Sequence, residues 1–117
     1  MKKWKWRGGE IKGHLDIGVH NREDEFEGKV EKCQEVQIHG DPEGLRSFAK
    51  LLLKIANLNQ ENVVDFPIGA REHYHLRPNL ELGKSSVETI VGRLDAKGTG
   101  SFYDSYVAKD STKKTVK

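Results

Sequence analysis

The side chains best suited to chemistry lie close together in residues 71–77, which read Arg-Glu-His-Tyr-His-Leu-Arg. On a β-strand, His73 and His75 would point to one face, ~7 Å apart along the strand. Two imidazoles so placed can bind zinc, but a zinc site takes three or four protein ligands. The missing ligands would have to be another histidine, Cys33 or a carboxylate, and no spacing identifies them. His73 and His75 are therefore weak metal candidates, and a small metal-dependent enzyme is one alternative.

The same segment can also serve as a binding surface. In a strand, His73, His75 and Arg77 share a polar, pH-sensitive face, and Tyr74 lies on the opposite face. A cationic face of this kind suits an acidic protein partner. The predicted partner-binding residues are Arg71, His73, Tyr74, His75 and Arg77. Aromatic and arginine side chains dominate binding energy where they are exposed, so Arg71, Tyr74 and Arg77 are the candidate anchors if they prove exposed.

No other motif indicates a reaction. Cys33 is flanked by Glu31 and Glu35, whose negative charges disfavour the thiolate that a nucleophile requires. No serine lies in a nucleophile elbow, and no glycine-rich stretch has the spacing of a phosphate-binding loop. The sequence therefore predicts a protein that is not an enzyme and requires no cofactor.

Trp4 and Trp6 alternate with basic residues near the start of the chain. Aromatic side chains beside cations can bind single-stranded nucleic acid. A nucleic-acid binder usually has a strong basic excess, whereas this chain has 20 basic and 18 acidic residues and a net charge of +2. An edge strand with inward tryptophans and protective lysines fits this balance better. A weak nucleic-acid-binding domain remains an alternative.

Length and composition predict one domain in a reducing compartment. A chain of 117 residues fits a single domain, which we expect to span residues 1–110, followed by a flexible tail at 111–117. Its single cysteine excludes an intramolecular disulfide, which favours a cytoplasmic protein. No signal peptide is evident, and the longest apolar run, Leu51-Leu52-Leu53, is far too short to span a bilayer.

Residues 42–58 form the clearest predicted helix. Asp41 can accept hydrogen bonds from the first free N–H groups, and Pro42 suits the first helical position. Asn57 or Asn59 could end the helix in a left-handed conformation. Its apolar residues cover an arc of roughly 220°. So wide an arc predicts that a curved sheet surrounds the helix, or that a loop or a second chain covers it. A homodimer is therefore one of the alternatives.

The remaining elements are predicted mostly as strands, because residues 15–19, 33–39 and 73–77 alternate apolar and polar positions. We interpret residues 21–25 as a charged loop. Residues 85–97 have both helical and strand features, and strand is favoured in a hairpin that pairs residues 87–94 with 102–107. The predicted fold class is α+β, with a mainly antiparallel, curved sheet packed on one principal helix.

The order of these motifs resembles a known family. Residues 38–41 (Ile-His-Gly-Asp) lead into a helix that begins with Gly44-Leu45; His-Tyr-His-Leu at 73–76 follows, and then residues 80–87 (Leu-Glu-Leu-Gly-Lys-Ser-Ser-Val). Across residues 36–94 this pattern resembles the immunity protein thirty-two family of bacterial polymorphic toxin systems. The resemblance implies an α+β protein that binds and blocks a toxin encoded beside it. It implies no catalytic residues, and the slightly basic charge differs from the acidic character common among inhibitors of nuclease toxins.

Overall fold

The computed structural model describes residues 11–110. Along the chain, the elements are β1 (Leu15–Phe26), β2 (Lys29–Gly40), α1 (Pro42–Asn57), a 3-10 turn (Gln60–Asn62), β3 (His73–Leu76) and β4 (Thr89–Gly92). β1 pairs with β2 and β3 pairs with β4, each antiparallel. The predicted α+β class is confirmed, although the described strands form two small sheets where one curved sheet was expected.

β1 and β2 form a long hairpin whose twelve residues per strand pair in continuous register, from Leu15 opposite Gly40 to Phe26 opposite Lys29. The chain reverses through Glu27 and Gly28, with φ of 52° and 78°. Two consecutive positive φ values define the type I′ turn, whose twist matches that of paired strands. The prediction of a charged loop at 21–25 is wrong, since these residues belong to β1.

The predicted helix is confirmed as α1, with Asp41 as its N-cap and Pro42 in its first turn. Asp41 Oδ1 accepts hydrogen bonds from the backbone N–H groups of Gly44 (2.7 Å) and His14 (3.1 Å), so one carboxylate joins the helix to the start of β1. Gly44 allows the start of α1 to lie this close to the backbone of His14, because a Cβ atom at residue 44 would lie 2.6 Å from the carbonyl carbon of His14.

The other end of α1 differs from prediction. Neither Asn57 nor Asn59 is left-handed; the C-cap is Leu58 in an extended conformation, and Asn59 instead caps the 3-10 turn. The Arg93 guanidinium donates to the carbonyls of Ile55 (3.0 Å) and Leu58 (2.7 Å). The last carbonyls of a helix have no partner within it, and here a side chain distant in sequence supplies the donors that a glycine cap would have provided.

The core forms where the inner end of the hairpin, one side of α1 and the inner face of β3 meet. Its buried apolar members are Ile11, Leu15, Ile17, Phe48, Leu51, Ile55, Tyr74, Leu76 and Leu82. The wide apolar arc of α1 is only partly covered: Leu45, Leu52 and Leu53 are 45%, 43% and 59% exposed. The described residues thus leave part of this side of the helix uncovered, and a second chain over it stays a prediction.

The segment after β3 returns to the hairpin. The N–H groups of Gly83 and Val87 donate to the carbonyls of Leu15 (3.0 Å) and Ile17 (2.8 Å), and the Ser86 hydroxyl donates to Asp16 (2.8 Å). These bonds tie β1 to the chain that connects β3 with β4.

The favoured strand interpretation of residues 85–97 agrees with β4, but its predicted hairpin partner is wrong. β4 pairs with β3, and residues 102–107 are irregular. Residues 97–99 form a turn after β4, and Gly98 and Gly100 there have φ of 85° and 69°. No helix within residues 11–110 is long and apolar enough to cross a membrane.

Two aspartates make the stability of this fold sensitive to acid. Backbone hydrogen bonds from Gly44 and His14 hold the pKa of Asp41 below its usual value, and the hydrogen bond from Arg93 does the same for Asp95. A carboxyl whose pKa is lower in the folded state stabilises the protein above its unfolded pKa, near ~3.9, and this contribution is lost as the pH falls through the folded pKa.

We therefore expect the melting temperature to decline below about pH 4, and Asp41→Asn to weaken that decline, because asparagine keeps the capping oxygen without the charge. Melting temperatures at several pH values between 7 and 2 would test this. Asp65→Asn, at an exposed position in a turn, is the matched control. The same acid-limb slope in Asp41→Asn and the unaltered protein would contradict the assignment.

Candidate partner-binding site

β3 carries three of the five predicted binding residues, His73, Tyr74 and His75, and its inner side packs on the core. Tyr74 and Leu76 are 5% and 1% exposed and face inward. His73 is exposed and His75 is half-buried on the other side. The predicted alternation is confirmed, so both imidazoles sit on a strand whose reverse side is fixed by packing.

The two histidines contact each other. Their ring centroids are 5.1 Å apart in an edge-to-face arrangement with an interplanar angle of 65°. The Nδ1–H of His73 donates to the carbonyl of Arg71 (2.9 Å). This bond fixes the orientation of the His73 ring.

β4 completes the exposed face. In the register of the two strands, Gly92 lies opposite His73, and Ile90 lies opposite His75. A Cβ atom at Gly92 would lie 2.6 Å from the Cβ of His73, so glycine allows the close approach of the two strands. Ile90 is 61% exposed and adds an apolar contact that the sequence did not suggest. We call His73, His75, Ile90 and the adjoining Arg77 the histidine face.

The Arg71 side chain binds other parts of the chain. Its Nε and Nη2 donate to the carbonyls of Leu94 (2.6 Å) and Ser101 (2.8 Å), and its guanidinium lies 4.0 Å from the centroid of the Tyr103 ring. Hydrogen bonds and cation–π contact thus tie residues 94–103 to the start of β3. A partner would meet this arginine with two of its N–H groups already engaged.

The other two anchor candidates differ in exposure. Tyr74 is buried, and Lys54 Nζ lies 5.6 Å from its ring centroid, so its side chain belongs to the core. Arg77 is exposed directly after β3, and its backbone N–H donates to Glu81 (2.8 Å). Of the three anchor candidates, only Arg77 is exposed, and the role of this face in binding stays a prediction.

The arrangement offers few metal ligands. Within residues 11–110, no group of three or more histidine, cysteine or carboxylate side chains could hold a metal ion. His73 and His75 therefore remain a pair, and the other candidate ligands do not gather around them.

Trp4 and Trp6, the candidate nucleic-acid-binding residues, lie outside the described residues.

These features define a small α+β protein in which a short strand with histidines on its outer side and the inner end of a long hairpin contribute to one core. Residues 35–94, just over half of the chain, match the family model described as Immunity protein 32. The chain belongs to the immunity protein 32 family, and its general role is that of an immunity protein, which binds a toxin. No curated protein and no solved structure matched the chain.

Proposed function

We propose that this protein neutralises one cognate toxin by binding it and covering its active site, with no chemical step of its own, in the cytoplasm of the bacterium that makes the toxin. The carrying observation is the histidine face: three polar or cationic side chains and one exposed isoleucine on strands backed by buried Tyr74 and Leu76. A surface already ordered in the free protein loses little conformational entropy on binding.

We expect the proposed contact to have the size of a standard protein interface. A standard interface buries about 800 Å² on each partner, roughly 20–30 residues, so the histidine face would be its centre and neighbouring loops its rim.

A metal-dependent reaction is not proposed, because the described chain provides two imidazoles without a third ligand beside them.

We expect His73→Ala with His75→Ala, and separately Arg77→Ala, to raise the dissociation constant for the toxin by about 10-fold to 100-fold, as truncation of central interface residues does. The binding partner in the test is the product of the neighbouring gene, inactivated in its active site, and affinity is measured by calorimetry. Arg46→Ala on the exposed side of α1 is the matched control and should leave affinity unchanged.

The possible outcomes separate the two parts of the proposal. If the unaltered protein does not bind its neighbour's product, and co-expression does not protect a host from the active toxin, the neutralising function is wrong. If it binds and protects while the histidine variants bind equally well, the function stands and the histidine face is not the contact.

A further inference from the structure

The outer part of the β1–β2 hairpin, residues 20–35, extends away from the core. Residues 20–32 are all exposed, and only Cys33 and Glu35 beyond them are half-buried. Each strand of twelve residues is about 40 Å long. An isolated two-stranded hairpin is marginally stable in water. Here the core holds its inner end and the type I′ turn closes its tip, so the exposed strands are presented in one defined shape.

The charge of this outer hairpin is opposite in sign to that of the rest of the protein. Its basic residues are Arg22, Lys29 and Lys32; its acidic residues are Glu23, Asp24, Glu25, Glu27, Glu31 and Glu35. Three basic and six acidic residues give a net charge of −3 with His20 neutral. Because the whole chain carries +2, the remainder carries +5. The chain as a whole is therefore slightly basic, whereas the projecting outer hairpin is acidic.

One pair of these negative charges destabilises the hairpin. Asp24 lies directly opposite Glu31 in the register, and like charges at opposite positions destabilise a strand pair. Arg22 offsets some of this repulsion, since it pairs with Asp24 (3.1 Å) and Glu35 (2.8 Å). Such an arrangement costs stability. On an element that is exposed throughout residues 20–32, it is typical of a surface shaped for a partner.

An aromatic residue lies beside these carboxylates. Phe26 is 75% exposed at the last position of β1. Side chains two apart on a strand share a face, so Phe26 lies on the same face as Asp24 and its opposite neighbour Glu31. Exposed aromatic side chains are enriched at the centre of protein interfaces. The tip thus combines an exposed aromatic residue, opposite Lys29, with the negative charges of Asp24 and Glu31 on the same face.

Resting on the proposed function, we propose that the outer hairpin docks in a cleft of the toxin lined with lysine and arginine, the chemistry by which proteins bind a phosphate backbone. Phe26 enters an apolar pocket of that cleft, and Asp24 and Glu31 meet its cations. The family match begins at Glu35, so nearly all of this element precedes the segment shared with the family. It therefore recognises the particular toxin, while the histidine face makes the second contact.

The test measures association and dissociation rates with the inactivated product of the neighbouring gene at several salt concentrations. Asp24→Lys with Glu31→Lys reverses the charge and keeps the like-charge pairing across the strands. We expect its association rate to fall at least ~10-fold at low salt and to lose its salt dependence, because complementary charges steer encounter. Phe26→Ala should raise the dissociation rate by about 10-fold, since apolar anchors act mainly on dissociation.

Asp65→Lys with Asp110→Lys is the matched control, because it makes the same change in net charge at two exposed positions outside the hairpin and the histidine face. It should keep at least about half of the unaltered association rate. Circular dichroism confirms that each variant is folded. Heparin, a polyanion, should compete with the unaltered protein for the toxin.

Each result decides between the two proposals. Binding that the hairpin variants leave unchanged, or that heparin and salt do not weaken, overturns the docking of the hairpin but leaves the neutralising function intact. An equal loss in the control variant also overturns it, because total charge would then explain the effect. Absence of binding by the unaltered protein overturns both proposals.

Discussion

Replacing Arg93 with methionine is expected to lower the free energy of unfolding by about 2–3 kcal/mol, as loss of hydrogen bonds to a charged, mostly buried group does. Its guanidinium caps α1 at Ile55 and Leu58, and it also binds Asp95 through two parallel bonds of 2.8 and 2.7 Å. Methionine preserves the aliphatic length but leaves two helix carbonyls and one carboxylate without this donor. The end of α1 would then lose its connection to the chain after β4.

Urea unfolding followed by circular dichroism measures this loss. Arg46→Met at an exposed position of α1 should change stability by less than about 0.5 kcal/mol. Arg93→Lys should keep only part of the stability that Arg93 provides, because one ammonium group cannot reproduce the planar fork of a guanidinium. A loss below about 0.5 kcal/mol in Arg93→Met would mean that water replaces this cap at little cost.

Gly44→Ala is expected to destabilise the protein by about 1–3 kcal/mol, the usual cost of overpacking. In an exposed helix this substitution stabilises by up to about 1 kcal/mol, so the expected sign is reversed. The reason is the close approach of His14, whose backbone atoms a new Cβ would meet, the carbonyl carbon at 2.6 Å. Backbone atoms cannot move aside as the end of a flexible side chain can, so the helix must separate from β1.

Thermal melts of Gly44→Ala and of Lys50→Ala, which lies on the exposed side of the same helix, provide the comparison. Lysine and alanine have similar helix propensities, so the control should melt close to the unaltered protein. A higher melting temperature for Gly44→Ala would show that α1 and residue 14 are less tightly packed than the structure has them.

The parts of the fold that short-range rules govern could be predicted from sequence. Asp41 and Pro42 marked the start of α1 because N-cap chemistry depends on a few neighbouring residues. The alternation through residues 73–76 identified β3 and its buried side, since period two follows from strand geometry alone. The motif order across residues 36–94 also indicated the family, and the family match at 35–94 confirms it.

The missed features depend on residues far apart in sequence. The cap on α1 comes from Arg93, thirty-five residues after Leu58, and no local pattern indicates such a donor. β4 was assigned the wrong partner because several segments could pair with it, and the choice is made by packing against the core. Residues 21–25 were mistaken for a loop because charged strands exposed on both faces lack the apolar alternation that normally identifies a strand.

The lack of packing around the outer hairpin has an evolutionary consequence. Surface substitutions away from packed features usually change stability by no more than about 0.5 kcal/mol, and residues 20–32 are all exposed. If the hairpin contacts the toxin as we propose, changes in it can therefore follow a toxin that alters its surface, and they leave the fold intact. New pairs of toxin and inhibitor could diverge through this one element while the shared core is inherited unchanged.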